Sequence, residues 1–123
     1  MKDFNKIFQT GRLTRDPELS YTPAGQAVVA LSLAVNDLWI GKDGNRNESV
    51  CYIEVSCFGK LAENVGTYCS KGSKVLIEGK LMQDTWEDKT TGAKRSKHKI
   101  FASSVMFLDS KKAGDPEATQ EDF

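Results

Sequence analysis

The chain has 123 residues, 39% hydrophobic and 28% charged, enough for one domain with a hydrophobic core and no need of covalent staples. Seventeen basic and seventeen acidic residues cancel, but unevenly: residues 1–112 carry all 17 basic and 13 acidic side chains, a net of +4, and residues 113–123 carry the other four acids. A mildly basic body stays open to a polyanionic ligand, while the lack of any run of about 18 apolar residues excludes a transmembrane helix.

The opening residues, MKDFNKIF, hold no apolar signal core and no small-residue cleavage site, so export is not expected. Cys51, Cys57 and Cys69 are odd in number and form no CxxC pair, the pattern of free thiols in a reducing compartment. The expected location is the cytoplasm, and no membrane partner is expected.

Asn5 to Thr14 is a first strand, with Gly11 as a bulge or bend, and Asp16-Pro17 breaks it before a short extended piece at Glu18 to Thr22. After the turn at Pro23-Ala24-Gly25, Gln26 to Trp39 is the second strand: Val29, Leu31, Leu33 and Val35 alternate onto one face, and Val28, Ala30, Ser32 and Ala34 onto the other. Ile40 to Ser49 is a polar turn cluster. Val50 to Phe58 is the third strand, with Cys51, Ile53, Val55 and Cys57 on its core face and Tyr52, Glu54, Ser56 and Phe58 outward.

From Lys60 to Ser70 the period changes. Leu61, Val65, Tyr68 and Cys69 predict an amphipathic helix of about three turns, ended by the basic Lys71 and a Gly72 cap. Ser73 to Trp86 is the fourth strand, with Val75, Ile77 and Gly79 inside. A charged flexible arm follows, EDKTTGAKRSKH, and His98 to Leu108 is the fifth strand. Residues 109–123 lose periodicity and composition predicts a disordered acidic tail. The order β-β-β-α-β-β, with one short helix between the third and fourth strands, is that of the OB-fold, an all-β five-stranded Greek-key barrel, here spanning residues 1–108.

Trp39, Tyr52, Phe58 and Trp86 sit at strand ends or on faces whose alternates are buried. Aromatics spaced over several strands can stack successive unpaired bases, whereas the bases of a duplex are already stacked on each other. Arg12, Lys42, Lys60, Lys71, Lys94 and Arg95 are candidate phosphate partners. A lone surface lysine is by default a solubilising charge; placement beside the aromatics raises Lys42 and Arg46 in the loop after Trp39, Lys60 after Phe58, and Lys94 and Arg95 beyond Trp86. Lys97, His98 and Lys99 extend the basic leg of the arm. No Cys/His set has metal-ligand spacing, no nucleophile is paired with a base and no Gly-rich phosphate loop occurs, so no enzyme activity, cofactor or metal is expected.

The run Gly11 to Glu18 (GRLTRDPE), the P-x-G at Pro23 to Gly25, and Phe58 to Leu81 (FGKLAENVGTYCSKGSKVLIEGKL) resemble the bacterial-type single-stranded-DNA-binding proteins over nearly all of residues 4–108. The resemblance implies sequence-tolerant binding and protection of single-stranded DNA in replication, recombination and repair, a homotetramer, and a nucleoid-associated location. It puts Trp39, Tyr52, Phe58 and Trp86 at stacking positions, Tyr52 standing where Trp is common. It also implies that the acidic segment with Glu121, Asp122 and Phe123 recruits partner proteins, here without the family's aliphatic-Pro pair before the Phe. The alternative from a different class is an OB-fold adaptor, primosome-like, acting mainly through protein contacts.

Overall fold

Strand pairing carried far past what a barrel wall needs shapes this molecule. In the computed structural model, which describes residues 1–109, the strands are β1 (Ile7–Leu13), β2 (Glu18–Tyr21), β3 (Ala27–Ile40), β4 (Arg46–Phe58), β5 (Lys74–Glu87) and β6 (Lys94–Phe107), with the helix α1 (Lys60–Tyr68) between β4 and β5. The sheet runs β1-β5-β6-β4-β3-β2, and a β1–β3 pairing at Arg12↔Ala34 and Leu13↔Leu33 closes five of these strands into a barrel. This is the expected OB-fold. The extended piece at Glu18 is a sixth strand, paired residue for residue with Ala27–Ala30 and lying outside the ring.

Val29, Leu31, Leu33, Val55, Val75 and Ile77 are fully buried inside the barrel, and Ala62 and Val65 of α1 join the same core. Removing such side chains from water is the main stabilising term, at about 1.5–3 kcal/mol for each fully buried Val, Leu or Ile. Beyond the barrel the strands continue as two hairpins. β3 and β4 stay paired out to Ile40↔Arg46, and β5 and β6 out to Glu87↔Lys94.

Several expectations are corrected by these ladders. The arm is mostly strand: Lys94 to His98 lie in β6, and only Asp88 to Ala93 turn, held by Asp88 Oδ1 accepting from the Thr90 N–H at 2.8 Å and by the Gly92 N–H bonding the Asp88 carbonyl. A polar run on an exposed ribbon lacks the one-sided apolar alternation by which strands are recognised. Similarly, the polar cluster after Trp39 shrinks to a turn at residues 41–45. Cys51 is exposed rather than core, because it lies where the β3–β4 ribbon has already left the barrel. The helix ends at Tyr68, so Lys71 is outside it, and Gly72 (φ 92°) serves the following Ser70–Ser73 turn instead of a helix cap.

Gly11 is not a bulge either. It pairs in register with Val75, and a Cβ there would come within 2.9 Å of the Ala34 carbonyl oxygen, so its role is close approach of β1 to β3 at the barrel seam. The irregularity is in β6, where Ser103 is the extra residue between the Gly79↔Ala102 and Glu78↔Ser104 pairs. Ser103 Oγ donates to the Glu78 carbonyl at 3.1 Å. A Cβ on Gly79 would overlap the backbone carbonyl of Phe101, which cannot swing aside as a flexible side chain can.

Gly79→Ala is therefore expected to destabilise the protein by about 3 kcal/mol or more, read by urea unfolding; a cost under 1 kcal/mol would remove the close approach as a constraint. Burial pushes the Cys57 thiol up to about 12 and the Cys69 thiol to about 11, the latter also raised by Asp109. Each thiol loses its proton earlier in the unfolded chain, near 9.0. Their stabilising contribution is thus complete below pH 9 and declines toward pH 11–12. A thiol-reactive disulfide dye should label Cys51 alone in the native protein at pH 8 and all three cysteines after denaturation.

Candidate nucleic-acid interface

The outward positions of three strands merge into one face. On β4 these are Tyr52, Glu54 and Phe58, since Val55 and Cys57 point inward. On β5 they are Lys80, Met82, Asp84 and Trp86, opposite Phe101, Lys99, Lys97 and Arg95 of β6 respectively. Contacts across strands confirm the common face. The Phe58 and Phe101 rings stack with centroids 5.3 Å apart and planes at 20°, and Lys80 Nζ lies 5.6 Å from the Phe101 centroid. Lys97 Nζ pairs with Glu54 Oε1 at 2.6 Å, bridging β6 to β4.

Tyr52 is 67% exposed and Trp86 47%, each on a hairpin leg where no core lies behind it. Phe58 and Phe101 form a half-buried pair at the barrel surface between them. Exposed rings of this size forgo their burial free energy and offer free π-faces. Trp39 is also 47% exposed but has the parity of Leu31 and Leu33, opposite Asn47, and so sits on the reverse of the β3–β4 ribbon from Tyr52.

The basic candidates separate. Arg95 faces Trp86 across the ladder and its Nε lies 3.3 Å from Asp88 Oδ2. Lys94, one position along, turns to the other side opposite Glu87. Lys42 projects from the β3–β4 turn, whose Asp43 carboxylate accepts from the Asn45 N–H at 3.0 Å; that bond, with the Asn45 side chain, holds Asp43 below the usual carboxylate range. Lys60 begins α1, two residues past Phe58, and is exposed.

Arg12 and Lys71 are not brought to this face. Arg12 Nη1 donates to the Gly72 carbonyl at 2.8 Å and lies 3.5 Å from Asp109 Oδ1, and the Lys71 N–H donates to Asp16 Oδ1 at 2.7 Å. Lys71 lines a cleft of about 660 Å³ at the start of β5, with Tyr68, Cys69 and Phe107 in its wall, and Arg12 contacts Gly72 and Asp109 of the same wall. Trp86 is 12 residues further along that strand, up to about 40 Å away at 3.3 Å per residue. Glu121, Asp122 and Phe123 lie outside the described residues.

Phe101, Lys80, Lys97 and Lys99 complete the face. Phe101 escapes sequence reasoning, although its signal was present: Ile100 and Ala102 inward leave Phe101 outward, beside the phenylalanine of β4. Among the described residues no group of His, Cys, Asp and Glu is placed to hold a metal ion, and no helix is long and apolar enough to cross a membrane.

A profile of the Single-strand binding protein family matches residues 4–108. The chain belongs to that family. It is 48% identical over 112 residues to the single-stranded DNA-binding protein of Helicobacter hepaticus, covering 91% of this chain and 65% of that protein. For the proteins of the same name in Wolinella succinogenes and Helicobacter pylori the identities are 42% and 46%, over 98% and 94% of this chain and 74% and 63% of theirs. The chain thus spans less than two thirds of both Helicobacter relatives.

Two solved structures share the architecture. A deletion variant of the single-stranded DNA binding protein from Thermus aquaticus gives a TM-score of 0.75 at 33% identity, over 86% of this chain and 51% of that one. Plasmodium falciparum SSB in complex with ssDNA gives 0.81 at 23% identity, over 89% and 98%, a likeness of fold alone. The family and these relatives are named for binding.

The site geometry separates exposed platforms from supporting rings. Tyr52→Ala and Trp86→Ala are expected to change unfolding free energy by no more than about 0.5 kcal/mol. Phe101→Ala, which removes the ring under Phe58 and the seat of Lys80, should cost about 1–3 kcal/mol. Chemical denaturation of the three variants checks the order, and equal costs would contradict it.

Proposed function

We propose that this family member binds single-stranded DNA without sequence preference, protecting it in replication, recombination and repair. The observation that carries the reading is the shared outer face of Tyr52, Phe58 with Phe101, and Trp86, interleaved with Lys80, Lys97 and Arg95. Each exposed ring can stack one base for roughly 1–3 kcal/mol whatever its identity. Ammonium and guanidinium groups between the rings suit the phosphates that link successive bases. A duplex offers no free base faces to such a surface. Trp39, on the reverse of its ribbon, joins only if the strand wraps around the ribbon edge, and Lys42 at the turn marks that route.

Residues 1–108 form the DNA-binding unit in this reading, and the acidic segment with Glu121, Asp122 and Phe123 recruits replication and repair proteins in the cytoplasm. A homotetramer is part of the same proposal. Ile7–Gly11 pair with β5 on one side only, and Phe8, Leu81 and Met106 are exposed, so free strand edge and apolar surface are available for self-association.

Titrating oligo-dT against tryptophan fluorescence, with light scattering on the same samples, tests these points. Quenching is expected, with a salt slope near −0.7 per contacted phosphate, little binding to duplex, and a mass about four times 13.6 kDa. Trp86→Ala and Tyr52→Ala should each weaken binding about five-fold or more. Unchanged affinity in both would favour the adaptor reading, and absent or duplex-equal binding would overturn the proposal.

A further inference from the structure

Three cations of the aromatic face are already held in ion pairs. Lys97 Nζ is 2.6 Å from Glu54 Oε1, Lys99 Nζ is 2.8 Å from Asp84 Oδ2, and Arg95 Nε is 3.3 Å from Asp88 Oδ2. Asp88 has a second task, since its other carboxylate oxygen caps the β5–β6 turn. Glu54 and Asp84 have none: neither carboxylate makes another side-chain hydrogen bond to the described residues, and neither is needed to satisfy a buried group. Their placement is nevertheless specific. Glu54 is two positions from Tyr52 and Asp84 two positions from Trp86, so each stands beside a stacking platform on the same face.

A polyanion laid over this face meets two carboxylates among the rings. From this we infer that Glu54 and Asp84 are affinity-limiting residues, each holding a lysine in an ion pair that an incoming phosphate must displace. The inference rests on the single-strand-binding reading and names residues that tune it. Binding at Lys97 is then an exchange of one anion for another, not the filling of a free cation, and fewer counterions are released than phosphates contacted. The pair stays weak enough to open: Lys97 and Glu54 side chains are 45% and 31% exposed, where such pairs are marginal in water. Lys99 is only 16% exposed, so freeing it presents less charge to the strand, and Glu54 is the stronger of the two limits. The arrangement trades affinity for reversibility, which suits a protein that must be cleared from DNA it protects.

The test uses the full chain with Glu54→Gln, Asp84→Asn and Glu54→Gln in a Lys97→Met background, each titrated with oligo-dT from low to moderate salt. The amides keep the side-chain shape, and thermal unfolding confirms the fold. Glu54→Gln is expected to bind about two- to five-fold tighter at low salt, with the slope steeper by about 0.7. Asp84→Asn should shift both in the same direction by less, and the Glu54→Gln gain should shrink when Lys97 is gone. Wild-type binding with variant affinities and slopes equal to or below wild type would overturn the inference alone. Failure of the wild-type protein to bind oligo-dT would overturn the underlying reading.

Discussion

The structure depends on one close backbone approach. Where β6, paired along its length with β5 on one edge, meets β4 in parallel on the other, Ser103 bulges and Gly79 lets the Phe101 carbonyl come nearer than any side chain would permit. A bulge bends its strand and shifts its alternation, and here Ile100 and Ala102 before it and Val105 after it all pack toward the core, while Phe101 lies outward against Phe58. The close approach in the barrel wall and the central element of the aromatic face thus meet at Phe101. Gly11 plays the matching part at the other seam, under the Ala34 carbonyl. Two positions without a Cβ let five strands form a ring whose outer wall is continuous from Tyr52 to Trp86.

What lies beyond the ring follows different physics. The two hairpins have no core behind them, so hydrogen bonding along the ladder and cross-strand pairs must hold them. Asn5 shows how economically such support is built at β1's entry: its side-chain amide both donates to the Leu81 carbonyl and accepts from the Leu81 N–H, each at 2.9 Å, extending the sheet by a side chain in place of backbone. The ion pairs Lys97–Glu54 and Lys99–Asp84 do similar work across the ribbons, and in doing so they occupy the cations that face the ligand. Electrostatic stabilisation of the free protein and attraction of a polyanion therefore draw on the same lysines.

This division explains what was legible in the sequence. Core strands announce themselves through one-sided alternation, and Val29, Leu31 and Leu33 of β3 are buried as their pattern predicts, as are Val75 and Ile77 of β5. Strand order and the single helix followed, and the GRLTRDPE and FGKLAENVG runs pointed to the family. The ribbons were illegible because both their faces meet water. Lys94 to His98 has the composition of a loop yet hydrogen-bonds as a strand, and Cys51 repeats the core parity of Val55 after the core has ended. The same loss of context split the basic candidates: Lys94 and Arg95 are neighbours in sequence but point to opposite faces once the segment is known to be a strand.

Parity also bears on how a ligand can lie. A flexible strand of nucleic acid that stacked only on one flat face would meet Tyr52, Phe58 and Trp86 and never Trp39, which sits behind the β3–β4 ribbon. Two-stranded ribbons twist more strongly than sheets, so over the residues between Tyr52 and the ribbon tip the front face rotates toward the side on which Trp39 stands. A track that follows this twist is curved rather than linear, and a curved track excludes a stiff duplex for a second reason, independent of stacking. On the proposed reading, selectivity for a single strand would rest jointly on exposed rings, which need unpaired bases, and on ribbon twist, which needs a backbone able to bend.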